Sequence, residues 1–326
     1  MLHPSSKPSA APKNRTVVRS KTAIRLTKAA LQTAFIVSED LGASFAERLF
    51  TTPRRHPRPS RENAVLASAR ESTVDITLRS PRTQGTQLPI ATWRWGHGPA
   101  VLLVHGWEGR GSQLGAFVEP LVNAGLSVIA FDAPGHGSSP SNRLYLTDLA
   151  DTITDVATSI GAPLHGVVAH SFGAAGVLLA GTRNGFRAPR NVMVAPNVII
   201  DDAVRRFARL VGLDDTDRIA LEQRLAAHTG VPVDTLRLDR LVADRDEALV
   251  VIHDRDDKEV SFEHGDRLAA LWSGRARLID TTGLGHRRIL RDESVLAATV
   301  ALLREGVEPP VSDLVREVDR QLEKNV

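Results

Sequence analysis

Six short runs of mostly apolar residues, at 100–104, 127–131, 164–169, 191–195, 248–252 and 276–280, constrain this chain more than any other feature. A strand buried on both faces has no wet side, so it reads as a continuous apolar run and not as an alternation. Stretches with helical spacing lie between these runs, near 114–124, 146–160, 174–182, 263–272 and 294–303. Strand and helix taken in turn predict the α/β class: a doubly wound, mostly parallel sheet with helices on both faces. Two earlier segments, 72–78 and 88–95, alternate apolar and polar residues like a hairpin entering the sheet. In sheets of this kind ligands bind beyond the carboxyl ends of the strands, so reactive side chains are expected there.

Residues 196–245 interrupt the alternation with two or three helical pieces, and an insertion placed after a strand is expected to cap the site. Ahead of the sheet, Ile24, Leu31, Phe35, Leu41, Phe45 and Leu49 fall along one side of a helix over 21–50. That face must be covered, by the body of the chain, by a partner subunit or by a membrane surface. Pro53, Pro57 and Pro59 among Arg54, Arg55 and Arg58 cannot prolong the helix and predict a connector. The expected organisation is a disordered basic tail over 1–20, the amphipathic helix and connector over 21–70, a sheet domain over 71–305 with the cap inside it, and a final helix over 306–326. That last helix is predicted by the period of Val311, Leu314, Val315, Val318 and Leu322.

The chain of 326 residues has no cysteine, which excludes disulfides, thiolate catalysis and cysteine-ligated metal. Hydroxyl, carboxylate and imidazole chemistry remain, with no cofactor called for and no His-x-x-x-His metal spacing. The basic excess behind the net charge of +3 is concentrated in the first thirty residues, where Lys7, Lys13, Arg15, Arg19, Lys21, Arg25 and Lys28 face no acidic residue. With aromatic residues at 4% and no base-reading motif, nucleic acid is not an expected partner. No apolar run reaches the roughly 18 to 20 residues that span a bilayer. The run at 29–37 lacks a cleavage site, since Ser38, Glu39 and Asp40 follow it directly, so it is expected to stay in the mature protein. A cytoplasmic location is expected, with residues 20–50 as a candidate for peripheral membrane contact; the oligomeric state is not legible.

The strongest chemical signal is Ala169-His170-Ser171-Phe172-Gly173, where an apolar run meets a helical one. A nucleophile on so sharp a strand-to-helix turn needs small residues two places before and after it, because their backbones crowd together. Ser171 occupies that slot, with Ala169 where G-x-S-x-G has its first glycine. One strand unit earlier, the run at 101–104 ends in His105-Gly106-Trp107. Backbone N–H groups fixed beyond a strand end stabilise the negative charge that acyl transfer develops, and Trp107 and Phe172 supply the predicted oxyanion pair.

These residues resemble the α/β-hydrolase superfamily, and Asp132-Ala133-Pro134-Gly135-His136-Gly137 adds to the likeness, which runs from about 72 to 305. The arm Phe50-Thr51-Thr52-Pro53-Arg54-Arg55-His56-Pro57 is similar to one in a group of poorly characterised bacterial hydrolases. The resemblance implies the α/β-hydrolase fold, with a small helical cap and an N-terminal helical extension. It also implies a triad in the order serine, acid, histidine. The family pattern sets the acid three residues before a valine, which selects Asp257 ahead of Val260, with Asp256 and Asp254 as neighbours in the same loop. His286, in Gly283-Leu284-Gly285-His286 past the last run, is the implied base. His105, His136, His170 and His253 beside the motifs are expected to brace loops. A serine nucleophile implies an acyl-enzyme and hydrolysis of a carboxylic ester, thioester or amide, with a small-molecule ester as the expected substrate. The alternatives are a noncatalytic binding protein on the same fold and a membrane-peripheral lipid esterase.

Overall fold

The computed structural model describes residues 15–243 and 245–307. Eight strands form one sheet: β1 (Arg70–Thr77), β2 (Gln87–Trp95), β3 (Ala100–Val104), β4 (Ser127–Phe131), β5 (Leu164–His170), β6 (Arg190–Val194), β7 (Ala248–Asp254) and β8 (Ala276–Thr281). Each lies within two residues of its predicted run. Their order is β1-β2-β4-β3-β5-β6-β7-β8; β1 and β2 form the antiparallel hairpin, β2 meets β4 antiparallel, and every later pairing is parallel.

The strand period of two sorts the core. In β3, Leu102 and Val104 pack with Phe131, Val177 and Leu178 on one face, while Val101 and Leu103 pack with Val128, Val168 and Leu303 on the other. Helices cover both faces: α4 (Val118–Asn123), α5 (Leu146–Ser159), α6 (Phe172–Asn184), α10 (Glu263–Leu271), α11 (Gly285–Arg288) and α12 (Glu293–Leu303). The insertion after β6 contains α7 (Ile200–Val211), α8 (Asp215–Thr229) and α9 (Leu238–Leu241).

Ahead of the sheet lie α1 (Arg15–Val37), α2 (Glu39–Thr51) and α3 (Ser60–Ala67), which differ from expectation in three ways. Residues 15–20, assigned to the tail by composition, are helical; Arg and Lys are good helix formers, so a basic stretch need not be coil. The rest of that tail, and all but the first two residues of the helix predicted over 306–326, lie outside the described residues. The single helix over 21–50 is two helices, because Ser38 leaves helical geometry at φ −165 and accepts a hydrogen bond from the Leu41 N–H. Glu39 and Asp40 then sit in the first turn of α2, where the helix dipole favours them. The connector ends early: Pro59 precedes α3, whose Val65 carbonyl accepts from the Trp95 indole at 3.1 Å.

The inserted helices cover the part of the predicted apolar face formed by Leu31, Phe35, Phe45 and Leu49, whereas Ile24 and Leu41, expected on the same face, are left uncovered. Leu31 and Ala46 are buried with Val204, Val211, Leu221 and Leu225, and Phe50 meets Phe207 edge to face at 5.1 Å. Polar contacts fix the register of this packing. Glu47 is buried and accepts from Arg224 Nε at 2.8 Å and from the Tyr145 hydroxyl at 3.0 Å, and His228 stacks on the Tyr145 ring. Ile24, Leu26, Ile36, Val37 and Leu41 stay exposed. No described helix is long and apolar enough to cross a membrane.

Candidate active site

Ser171 joins β5 to α6 at φ 54 and ψ −122, a left-handed conformation that costs an L-residue energy and persists only under constraint. The constraint is crowding. A Cβ on Gly173 would lie 2.7 Å from the carbonyl oxygens of both Val104 and His105, so glycine is what lets the start of α6 rest on the end of β3. A Cβ on Gly106 would lie 2.8 Å from that of Ser171, which sets the His105-Gly106-Trp107 turn directly against the serine. Ala169, in the other crowded position, is wholly buried. The Trp107 and Phe172 rings meet edge to face at 5.9 Å, so the two residues expected to supply N–H donors lie side by side.

The loop after β7 and the loop after β8 meet at the same place. His286, at the start of α11, puts Nε2 3.0 Å from Ser171 Oγ and Nδ1 2.7 Å from Asp257 Oδ2. The three side chains read from distant parts of the sequence are thus within proton-transfer reach of one another. Asp257 Oδ1 accepts from the N–H groups of Glu259 at 2.8 Å and Val260 at 3.0 Å, which fixes the carboxylate's orientation. Burial alone would raise this carboxyl, but hydrogen bonds from His253, His286 and Val260 outweigh it and hold it well below the ordinary range.

The neighbouring aspartates have other partners. Asp256 accepts from the Gly283 N–H at 2.8 Å, and Asp254 from the Thr281 hydroxyl at 2.8 Å and the Leu284 N–H at 2.9 Å. Both therefore shape the loop that carries His286, and neither is bonded to its ring. His253 was expected only to brace its loop. It lies fully buried with Nε2 3.3 Å from the Val260 carbonyl and 3.4 Å from Asp257 Oδ2, so it is a second donor toward the same carboxylate. Its position at the end of β7 was the sequence signal.

The other histidines beside the motifs hold backbone. His105 accepts from the Ala133 N–H at 2.9 Å, His136 from the Glu108 N–H at 3.1 Å, and His170 donates to the His286 carbonyl at 3.0 Å. His264 accepts from the Val198 N–H at 3.1 Å. Burial pushes these rings down, His105 and His264 to about 4 and His136 and His170 to about 3. In the unfolded chain they would take up protons near 6.5. Their stabilising effect is therefore whole above that pH and is lost as pH falls toward 4. Asp148 works the other way, because burial raises its carboxyl to about 7. His165 and His228, lowered by burial as well, add to the uptake of protons on unfolding, while Asp132 and Asp217, raised by burial, subtract from it, and the rings outnumber the carboxyls. The expected result is a loss of stability as pH falls from about 6 to 4, on the order of 1 kcal/mol per pH unit for each proton taken up on balance. Urea unfolding at pH 7 and pH 5 measures it, and equal free energies at the two values would contradict the assignment of neutral rings.

Beside the serine lies a cavity of about 1260 Å³ whose lining includes Trp107, Asn197, Arg206, Val260 and Leu290, and which extends along α3 to the Pro57–Pro59 arm. That is somewhat more room than most small-molecule sites offer. Nearby, Asp132 ties the loops after β3 and β4 together, accepting from the N–H groups of Gly111 and Ser138, each at 2.7 Å.

The family model described as the alpha/beta hydrolase family matches residues 101–299. The chain belongs to this family. The chain is 32% identical over 97 residues to a serine hydrolase-like protein of Dictyostelium discoideum, a match covering 28% of this chain and 27% of that one. It is 35% identical over 97 residues to a non-heme chloroperoxidase of Kitasatospora aureofaciens, covering 26% and 35%. The chain thus spans little more than a third, at most, of the length of these curated relatives. Among solved structures, an esterase of Pyrococcus furiosus aligns at a TM-score of 0.57 with 16% identity, over 78% of this chain and 98% of that one. A monoacylglycerol lipase of Paleococcus ferrophilus aligns at 0.52 with 19% identity, over 66% and 98%. At such identities these likenesses speak for the alpha/beta hydrolase fold, which the sheet order and the serine at the end of β5 share.

Proposed function

We propose that this alpha/beta hydrolase cleaves a carboxylic ester, or a related thioester or amide, through an acyl-enzyme formed on Ser171. The observation that carries the reading is the unbroken chain of contacts from Ser171 Oγ to His286 Nε2 at 3.0 Å and from His286 Nδ1 to Asp257 at 2.7 Å. In this mechanism His286 takes the hydroxyl proton as Ser171 attacks the carbonyl carbon. The Asp257 carboxylate accepts from Nδ1–H, fixes the tautomer and stabilises the imidazolium. The developing oxyanion sits between the backbone N–H groups of Phe172 and Trp107. Phe172 opens α6, where the first N–H groups have no partner inside the helix and the dipole favours negative charge. Collapse of the tetrahedral intermediate expels the alcohol, which takes its proton from His286. Water then enters by the same route and releases the acid.

The length of the cavity supports a substrate with an extended acyl or alcohol part, and Arg206 of α7 gives the inserted helices a hand in choosing it. A fluorophosphonate probe tests the proposal, because it phosphonylates only a serine that is activated and has its oxyanion donors in place. The expected result is one labelled peptide containing Ser171 in native protein, with no labelling after heat denaturation or in Ser171→Ala. Native, folded protein that stays unlabelled would point instead to a noncatalytic binder.

A further inference from the structure

Next to the expected oxyanion donor Trp107, Glu108 has φ 55. A non-glycine residue persists at such an angle only where its contacts over-determine it, and the contacts here come from far away in the sequence. Arg54 grips the Glu108 carboxylate with two parallel bonds, Nε to Oε1 at 2.7 Å and Nη2 to Oε2 at 2.9 Å, and adds its backbone N–H to Oε1 at 3.2 Å. The Glu108 N–H is meanwhile bound to His136. Arg54 is itself anchored by the arm around it. Arg55 donates to the carbonyls of Gly135, Gly137, Ser139 and Ser141 on the loop that carries His136. On the other side, buried Arg110 binds Glu62 at 2.6 Å and the carbonyls of His56 and Pro57 at 3.2 and 3.4 Å. The arm is therefore bonded on both flanks of the turn that presents Trp107.

We propose that Arg54 is a positioning residue for the oxyanion loop: by holding Glu108 in its left-handed turn, it aims the Trp107 N–H at the oxygen of a substrate bound at Ser171. The proposal rests on the serine-hydrolase reading. Arg54 is 78% exposed and buries little apolar surface of its own, so Arg54→Ala should leave the fold largely intact. Catalysis is the more sensitive quantity. Glu108 is 17% exposed and sits one residue from the donor, and a displacement of about 1 Å at a reacting centre can cost on the order of 10²-fold in rate. The effect should appear in kcat more than in KM, because the donor is used most fully once the carbonyl oxygen has become an anion.

The test is a kinetic cycle with p-nitrophenyl butyrate on the full chain: wild type, Arg54→Ala, Arg54→Lys, Glu108→Gly and the double variant Arg54→Ala/Glu108→Gly. Arg54→Ala is expected to lower kcat roughly 10- to 100-fold with KM within about twofold and the thermal midpoint nearly unchanged. Arg54→Lys keeps the charge but not the two-pronged geometry, so it should recover only part of the loss. Glycine at 108 adopts the turn with no carboxylate to grip, and in that background Arg54→Ala should change kcat by less than about twofold. Equal losses in the two backgrounds, or a kcat for Arg54→Ala within about twofold of wild type, overturn the proposal. Should Arg54→Ala lose its native near-ultraviolet circular dichroism, Glu108→Gln carries the same comparison, since it keeps the side chain's size and removes the charge. Undiminished turnover by Ser171→Ala would mark a failure of the hydrolase reading itself and not of the arm's role.

Discussion

His286→Ala is expected to lower kcat for a p-nitrophenyl ester by about 10⁴-fold or more while leaving the fold intact. A serine hydroxyl does not ionise near neutral pH, so its attack depends on a base within hydrogen-bonding distance, and the ring at 3.0 Å is the group in place. Ser171→Ala should cost a similar factor, and the double variant hardly more than either, because the two side chains act as one unit. What remains would reflect substrate binding and the N–H donors alone. A His286→Ala protein within tenfold of wild type, measured with circular dichroism to show that it is folded, would remove the histidine from the mechanism.

Asp257→Asn is expected to lower kcat by about 10²- to 10⁴-fold, whereas Asp256→Asn should stay within about fivefold. The carboxylate at 257 is buried and binds the imidazole at 2.7 Å. An amide there removes the charge that stabilises the imidazolium, and its NH₂ group can hold the ring in the wrong tautomer. At 256 the relevant contact is a backbone N–H from Gly283, which an amide oxygen still accepts. The pair of variants therefore separates a residue that works on the ring from one that shapes its loop, and the reverse order of effects would exchange their roles.

Most of the scaffold could be read before any coordinates because its strands are buried on both faces and leave continuous apolar runs between polar turns. The candidate site was legible for a related reason. Ser171, Asp257 and His286 each follow such a run, and glycine or alanine beside the serine marks where backbones crowd. The choice among Asp254, Asp256 and Asp257 was not readable from the residues alone, since three carboxylates in one short loop differ only in the direction each side chain takes. The division of the N-terminal helix was present as a Ser38 cap with Glu39 and Asp40 behind it, but the apolar period runs through Ser38 and hides it. Pro59 masked α3 in the same way, by extending a proline-rich stretch to the first residue before the helix. The ion pairs Arg54–Glu108 and Arg110–Glu62 left no local pattern, because partners about fifty positions apart are adjacent only after folding.

Glu47 gives the N-terminal helices a consequence of their own. Its carboxylate binds Arg224 of the inserted helices and Tyr145 just ahead of α5, and the chain then runs on to Arg54 beside the Trp107 turn. A minimal catalytic fragment cut to begin at β1 would lose this brace and lay bare Leu221 and Leu225 to solvent. Shortened forms prepared for substrate screening would therefore report on altered packing of the inserted helices, and the chain with its N-terminal helices is the proper object for such a survey.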